Sequence, residues 1–413
     1  MKFPDPREKR DPRERVIEQI ASFNEHVAFA RMHAPFMRGH LQHAPARISS
    51  LQDLQEFPLL RKSDLSSLQK GDIYGGLVAE TSKLAHIYRS PGPINDFDGH
   101  GEDWWRFARA LHAAGIGPGD LVQNCFSYHF TPAGIMFERA ALSLGATVFP
   151  AGPGQTEAQA EVMHALHVTA YAGVPDFLKI ILQKADSLGL DTSYLVKAVV
   201  SGGPLFPNVR QWLEERGIAV FQSYGTADLG LVAYESSPES GLIVDEDALV
   251  EIVRPGTGEH VEPGEVGEIV VTPLGRREYP LVRFATGDLS AVVEGPGPFG
   301  RTNMRLKGWM GRADQTTKVR GMFVHPSQID QICKDIQARK ARAIVRREDG
   351  NDVMDIQIVL NEGQNPEDAK LMRNTQMAIE KFLKLKASID FVSVESLPND
   401  GKIIDDQRDF GAS

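Results

Sequence analysis

Cysteine is scarce in this chain: two in 413 residues, Cys125 and Cys333. That excludes a disulfide framework and an all-cysteine zinc site. It suits a reducing cytoplasm, with each thiol a small buried filler. Basic charge is not in excess either. Forty-five Lys and Arg stand against 55 Asp and Glu, for a net charge of -10, whereas a general electrostatic nucleic-acid binder carries the opposite sign. No uncharged apolar run approaches the roughly 18 residues that span a bilayer. The opening Met1-Lys-Phe-Pro-Asp-Pro-Arg-Glu-Lys-Arg10 has no apolar core behind it, so no signal peptide is expected. What is present, 42% apolar and 24% charged residues, is ordinary for a globular chain long enough for two or three domains.

Apolar spacing predicts a helix from about Arg13 to Arg38. Short helices follow between Leu51 and Leu68, with Ser63 placed as an N-cap before Leu65. From Gly119 the texture alternates. Leu121–Phe126, Ala146–Pro150, Thr169–Ala172, Val196–Val200 and Ile218–Phe221 read as strands, separated by helices at Thr131–Leu144, Asp176–Ala185 and Pro207–Arg216. That alternation argues for a parallel, helix-flanked sheet, whose ligands sit beyond the carboxyl ends of the strands. A β-rich stretch covers about Ile243 to Val293. A small α+β unit covers about Thr316 to Gln407, with a hairpin at Asp349-Gly350 and a helix from Pro366 to Leu385.

Candidate chemistry falls at the junctions. Ser201-Gly-Gly-Pro204 and Ser223-Tyr-Gly-Thr-Ala-Asp228 each follow a strand; glycines there admit a flat or charged ligand, and Asp228 can hold a metal ion. Asp288, after Thr286-Gly287, can accept two hydrogen bonds from a ribose diol or cap a turn. Arg312, Lys318 and Arg320 suit phosphate contacts or simply a solvated charge run. Lys402 stands on a loop after Gly401. Singly each is weak; together and in this order they are not.

The chain resembles the phenylacetate-CoA ligase family of adenylate-forming acyl-CoA synthetases. The resemblance runs through Phe57-Pro-Leu-Leu-Arg-Lys-Ser-Asp-Leu65, Gly119-Asp-Leu-Val-Gln-Asn124 and Leu144 to Thr156. It continues through Thr286-Gly-Asp288, Gly311-Arg-Ala-Asp314, Arg320-Gly321, Val324-His-Pro-Ser-Gln-Ile329 and the closing Leu397-Pro and Gly401-Lys402. It implies an α/β fold: a large N-terminal adenylation domain over 1–313, with parallel helix-flanked sheets and a β-rich subdomain, and a mobile α+β lid over 314–413. The implied activity is ATP-dependent, AMP-forming ligation of a small carboxylic acid to coenzyme A with Mg2+. No nucleic acid or membrane partner is implied, and a homodimer is expected. The resemblance places Gly202, Gly203 and Pro204 along the adenine, with Tyr224 packed on it and Gly225 and Thr226 beside it. It assigns Ser90 and Gly92 to the phosphates, Asp288 to the ribose, Arg312 to ribose and phosphate, and Asp228 to Mg2+. Asp314 becomes the hinge, Lys402 the catalytic lysine, and Arg320 with Gly321 the coenzyme A contact. Phe126, Tyr128 and Phe130 fall where an aryl or arylacetyl pocket is expected, or else are ordinary core.

The chain departs from the family at the phosphate end. The family's Ser/Gly/Thr-rich loop ends Thr-Thr-Gly-Lys; here it reads Ser90-Pro-Gly-Pro-Ile-Asn-Asp96. Pro91 and Pro93 remove two N–H donors, and Asp96 replaces the base, so a carboxylate is expected to repel the triphosphate. Ala227 loses a hydroxyl, and Asp228 is one methylene shorter than the family's Glu. At about 1.5–3 kcal/mol for each lost charged hydrogen bond, the cost in ATP use is on the order of a hundredfold. Two readings follow: an active acid:CoA ligase, or a degenerate homologue that binds a nucleotide or acyl-CoA without adenylation or adenylates a non-CoA substrate. The retained Lys402 favours the first and the altered loop the second.

Overall fold

The computed structural model describes residues 5–408 except 239, 256, 311, 314–316, 325, 349, 362 and 399–401. The chain divides into two compact units, Met1–Trp309 and Met310–Ser413. The expected boundary fell four residues later, at 313/314.

The first unit is built on an eight-stranded sheet. Five strands run parallel in the order Thr147–Pro150, Leu121–Asn124, Ala170–Gly173, Lys197–Val200 and Ala219–Thr226. Gly230–Tyr234, Leu242–Val244 and Arg305–Leu306 extend it antiparallel. Local sequence explains the crossovers. Pro175 presets the first turn of the helix Pro175–Leu188, Gly189 closes it in the left-handed region at φ 67°, and Leu178, Ile181, Leu182 and Ala185 form its buried stripe. A second sheet joins Leu60–Arg61, Phe284–Ser290, Gly267–Pro273 and Ala248–Val253, and its apolar faces share a core with the N-terminal helix through Phe23, Val27 and Phe284.

Three local expectations change. The long N-terminal helix is two, Pro12–His33 and Pro35–His40, because Ala34 ahead of Pro35 is extended. Ser63 does not cap: it lies inside the short turn Lys62–Asp64 that leads into Leu65–Leu68. Ser90–Asp96 is not an open loop. Leu84–Ser90 and Ile94–Gly99 pair as an antiparallel hairpin, leaving only 91–93 as the turn and placing Asp96 inside a buried strand. A helix at Thr156–Ala165 was not expected, since few apolar residues mark its buried side.

The second unit pairs Ser388–Phe391, Asn351–Val359, Lys340–Glu348 and Ile404–Asp406 in one sheet. The expected hairpin closes it, from Lys340↔Val359 to Glu348↔Asn351. Helices Pro326–Asp335 and Ala369–Leu383 share its core through Ile329, Ile332, Ala378 and Ile379. Among the described residues no helix is long and apolar enough to cross a membrane.

Two buried features hold the first unit together. Arg109, 1% exposed, meets Asp245 and Asp5 at 2.8 Å each and Asp247 at 3.2 Å. It thereby ties the N-terminal segment to the end of the sheet. His26 bonds the Leu281 carbonyl at 2.9 Å through Nε2, and burial lowers its pKa to about 4. An unfolded histidine titrates near 6.5, so between about pH 6.5 and 4 the unfolded chain binds the extra proton and stability falls as pH falls. His26→Gln, which still donates, should flatten the fall in Tm across that window; an unchanged slope removes His26 as its source.

Candidate active site

Three strand ends and the hairpin converge on one constellation. The Ser201 hydroxyl donates to the Ser223 carbonyl at 2.7 Å, fastening the Gly-Gly-Pro turn to the next strand. Gly202 takes φ 70°, and a side chain there would face Val174 and Phe126. Gly225 sits at a bulge in the pairing with Gly230–Tyr234. A Cβ there would come within 2.5 Å of the Gly230 carbonyl oxygen, so glycine is required whether or not a nucleotide binds. Thr226 Oγ1 accepts the Leu229 N–H at 3.1 Å and shapes the turn that carries Asp228. Arg276 grips the same turn, donating to the carbonyls of Asp228 at 2.6 Å and Leu229 at 2.8 Å while stacking on Trp104.

Asp288 lies on the strand Phe284–Ser290 of the second sheet. Its Oδ2 accepts from the Tyr224 hydroxyl at 2.8 Å and its Oδ1 from Trp309 Nε1 at 3.0 Å. The expected adenine platform and ribose carboxylate are therefore joined directly. Trp309 was not foreseen, because nothing in its local sequence signals a partner 21 residues back.

The phosphate end differs most from expectation. Asp228 is fully buried, with Lys62 Nζ 2.7 Å from its Oδ2. Asp96, also fully buried, accepts a short hydrogen bond from Ser90 through Oδ2. Burial, and then the neighbouring Asp228, push the Asp96 pKa well above the usual carboxylate range. Burial also works against charge on Lys62, but Asp228 and Asp96 outweigh it and raise its pKa, with Asp288 adding to the effect. Asp96 thus lies beside the Lys62–Asp228 ion pair and shares a hydrogen bond with Asp228, which its raised pKa favours. Lys62 stood within the resembling segment, but no spacing rule marked it. Ser90 serves Asp96, and Gly92 holds the hairpin turn at φ 139°.

The aromatic trio does not form one wall. Phe126 is buried and stacks on Phe137 at 4.3 Å, Tyr128 is half-buried with its hydroxyl accepting from Asn124 at 2.8 Å, and Phe130 is 79% exposed. The chain turns at Phe130, with φ in the left-handed region at 63°. Gly203 and Pro204 complete the turn after the strand Lys197–Val200, half-buried.

The remaining candidates belong to the second unit. Lys402 pairs with Asp405 at 3.1 Å, its side chain 52% exposed. Arg320, at φ 48°, donates through Nε to the Asp352 carbonyl at 2.8 Å, and with Gly321 makes the turn between Thr317–Val319 and Met322–Val324. Arg312 is half-buried. Asp314, the expected hinge, lies outside the described residues.

The model for the AMP-binding enzyme family matches residues 123–273, and that for the AMP-binding enzyme C-terminal domain matches residues 321–407. The phenylacetate-coenzyme A ligase of Aromatoleum evansii is 26% identical over 366 residues, covering 84% of this chain and 82% of that protein. That of Thermus thermophilus is 27% identical over 358 residues, covering 81% and 79%. A crystal structure of 2-hydroxyisobutyryl-CoA ligase, in complex with its acyl-adenylate and CoA, superposes with a TM-score of 0.83. It is 23% identical and covers 98% of this chain and 92% of that one, a likeness of fold. With two AMP-binding models matched in order and these ligases aligned along about four-fifths of its length, the chain belongs to the phenylacetate-CoA ligase family of AMP-binding enzymes.

Proposed function

We propose that the chain is an ATP-dependent, AMP-forming acid:CoA ligase acting on an aryl or arylacetic carboxylate. The observation that carries this reading is the Tyr224–Asp288 bond, which holds an aromatic side chain and a carboxylate side by side, a pair that suits an adenine face and a ribose diol. The phenylacetate-CoA ligase relatives supply the substrate class. In the first half-reaction a carboxylate oxygen of the acid attacks the α-phosphorus of ATP. The bond to the β-phosphate bridging oxygen breaks, and pyrophosphate leaves. In the second, the coenzyme A thiolate attacks the acyl carbon and AMP leaves.

In this reading Tyr224 and the turn at 202–204 orient the adenine, and Asp288 exchanges its present donors for the ribose hydroxyls. Lys402 brings positive charge to the α-phosphate, with Arg312 beside the ribose and phosphate and Arg320-Gly321 toward coenzyme A. Asp228 Oδ1 is buried and receives no amide, ammonium or alcohol donor, which suits a metal ligand; Mg2+ there would neutralise charge on the phosphates. A reducing cytoplasm fits the two free cysteines, Cys125 being held up to about 12 by burial; a homodimer rests on family resemblance alone.

The test is acid-dependent pyrophosphate release with ATP and Mg2+ across aryl, arylacetic and short aliphatic acids, with coenzyme A in a second arm. Release with one acid class, followed by thioester formation, is expected. Silence across the panel, with acyl-adenylate still binding by calorimetry, would instead establish a homologue that binds without adenylating.

A further inference from the structure

Near the C-terminus of the second unit lies a buried arginine that the proposed reaction does not yet use. Arg408 stands two residues beyond the strand Ile404–Asp406, its side chain 4% exposed. Its Nε donates to Asp406 Oδ1 at 2.8 Å. Nη2 donates to Asp406 Oδ2 and, at 2.7 Å, to Thr317 Oγ1. Nη1 donates to the Lys318 carbonyl at 2.8 Å and to Asp352 Oδ2 at 2.9 Å. These five bonds match the five N–H donors of a guanidinium, a fork that lysine cannot copy. One side chain thereby joins three strands: Thr317–Val319 of the small hairpin, and Asn351–Val359 and Ile404–Asp406 of the four-stranded sheet.

The hairpin needs that tie. Thr317–Val319 and Met322–Val324 form a two-stranded sheet of their own, and an isolated pair of strands is only marginally stable. Its turn is also unfavourable. Val319 pairs with Met322, so Arg320 and Gly321 make the bend, at φ 48° and 83°. Two positive φ values in succession suit Asn-Gly, and an arginine in the first place is strained by its Cβ. Such strain persists only where surrounding groups impose it. Here Asp352 imposes it. The Oδ2 that Arg408 holds also accepts the Arg320 N–H at 3.3 Å, and the Asp352 carbonyl accepts from Arg320 Nε at 2.8 Å. A further bond runs from Arg320 Nη1 to the Lys386 carbonyl at 3.3 Å.

We propose that Arg408, acting through Asp352, is a positioning residue for thioester formation, holding the Arg320-Gly321 turn in the shape that meets coenzyme A. This rests on the ligase reading, which places coenzyme A at that turn. Because the brace ends at the coenzyme A turn, its loss is expected in the second half-reaction and not in the first.

The experiment measures both half-reactions of the full chain: acid-dependent pyrophosphate release, and thioester formation from preformed acyl-adenylate with coenzyme A varied. Arg408→Lys keeps the charge and loses the fork. It should raise the KM for coenzyme A about ten- to a hundredfold, the usual range for a misplaced contact, while pyrophosphate release stays within about twofold. Asp352→Asn, which weakens the shared acceptor, should shift the same KM in the same direction. The double variant should be no worse than the more affected single one, because both act along one path. Amide hydrogen exchange over 317–324 should quicken in each. An unchanged KM for coenzyme A in a folded Arg408→Lys protein overturns the proposal. So does equal loss in both half-reactions with a lowered Tm, the mark of general destabilisation. Should Arg408→Lys not fold, an unchanged KM in Asp352→Asn overturns it instead. Wild-type protein that forms no thioester fails the ligase reading, and coenzyme A positioning with it. Wild-type turnover with a KM that neither variant moves fails the brace alone.

Discussion

Replacing Lys402 with alanine should lower acid-dependent pyrophosphate release by about a hundred- to a thousandfold, the usual consequence of losing one preorganised group at developing phosphate charge. The side chain is half exposed and its ion pair is with Asp405, three residues away. Surface pairs of this kind contribute little to stability, so thermal unfolding should be unchanged. Asp405 also keeps Arg342 at 3.0 Å, so no buried charge is stranded. Thioester formation from preformed acyl-adenylate and coenzyme A should proceed near the wild-type rate, since no charge then builds at the α-phosphate. Equal loss in both half-reactions would mean that Lys402 maintains the second unit and has no direct part in adenylation.

The largest effect on stability is expected at Arg109. Truncating it to alanine strands Asp245, which is completely buried and then relies on Arg106 alone. It also leaves Asp5 with Arg7 as its ion-pair partner among the described residues. One tie to the N-terminal segment is then lost, though Glu8 still holds that segment by accepting from Tyr234 and pairing with Arg301 at 2.7 Å. Breaking a buried pair by removing one partner costs about 3–5 kcal/mol, or on the order of 10 °C in Tm for a domain of this size. Calorimetry of Arg109→Ala, of a chain lacking the first ten residues, and of the combination decides the matter. The two losses should overlap in part, because both delete the Arg109 contacts to Asp5 and Glu8. Full additivity would show that Arg109 acts through the sheet alone.

The contrast between Tyr224 and Lys62 shows how far local sequence reaches. Tyr224, with its glycine neighbour and Asp228 close behind, stands at the end of an apolar strand in an alternating pattern, so its place near the carboxyl end of a parallel strand follows from strand and helix periods. The same holds for the Gly202-Gly203 turn, whereas Asp288, read as standing at a strand end, lies inside the strand Phe284–Ser290 of the other sheet. Lys62 and Asp228 are 166 residues apart, and no periodicity relates them. Ser90–Asp96 was legible as a departure from the phosphate loop, but its hairpin was not. Its pairing depends on the partner strand and on Asp96 finding Asp228 within the folded unit. For Phe126, Tyr128 and Phe130 the sequence supplied proximity along the chain only. In the folded chain Phe126 stacks on Phe137 of the next helix while Phe130 is exposed.

The sequence alone determined the alternating α/β architecture, the order of the motifs and the small α+β unit that follows, because each arises from hydrophobic period and turn chemistry within about twenty residues. Only the tertiary structure decided which charges meet. Burying Asp96, Asp228 and Asp245 is tolerable only where a cation or donor arrives from a distant segment, and which segment that is depends on the topology of the completed sheets.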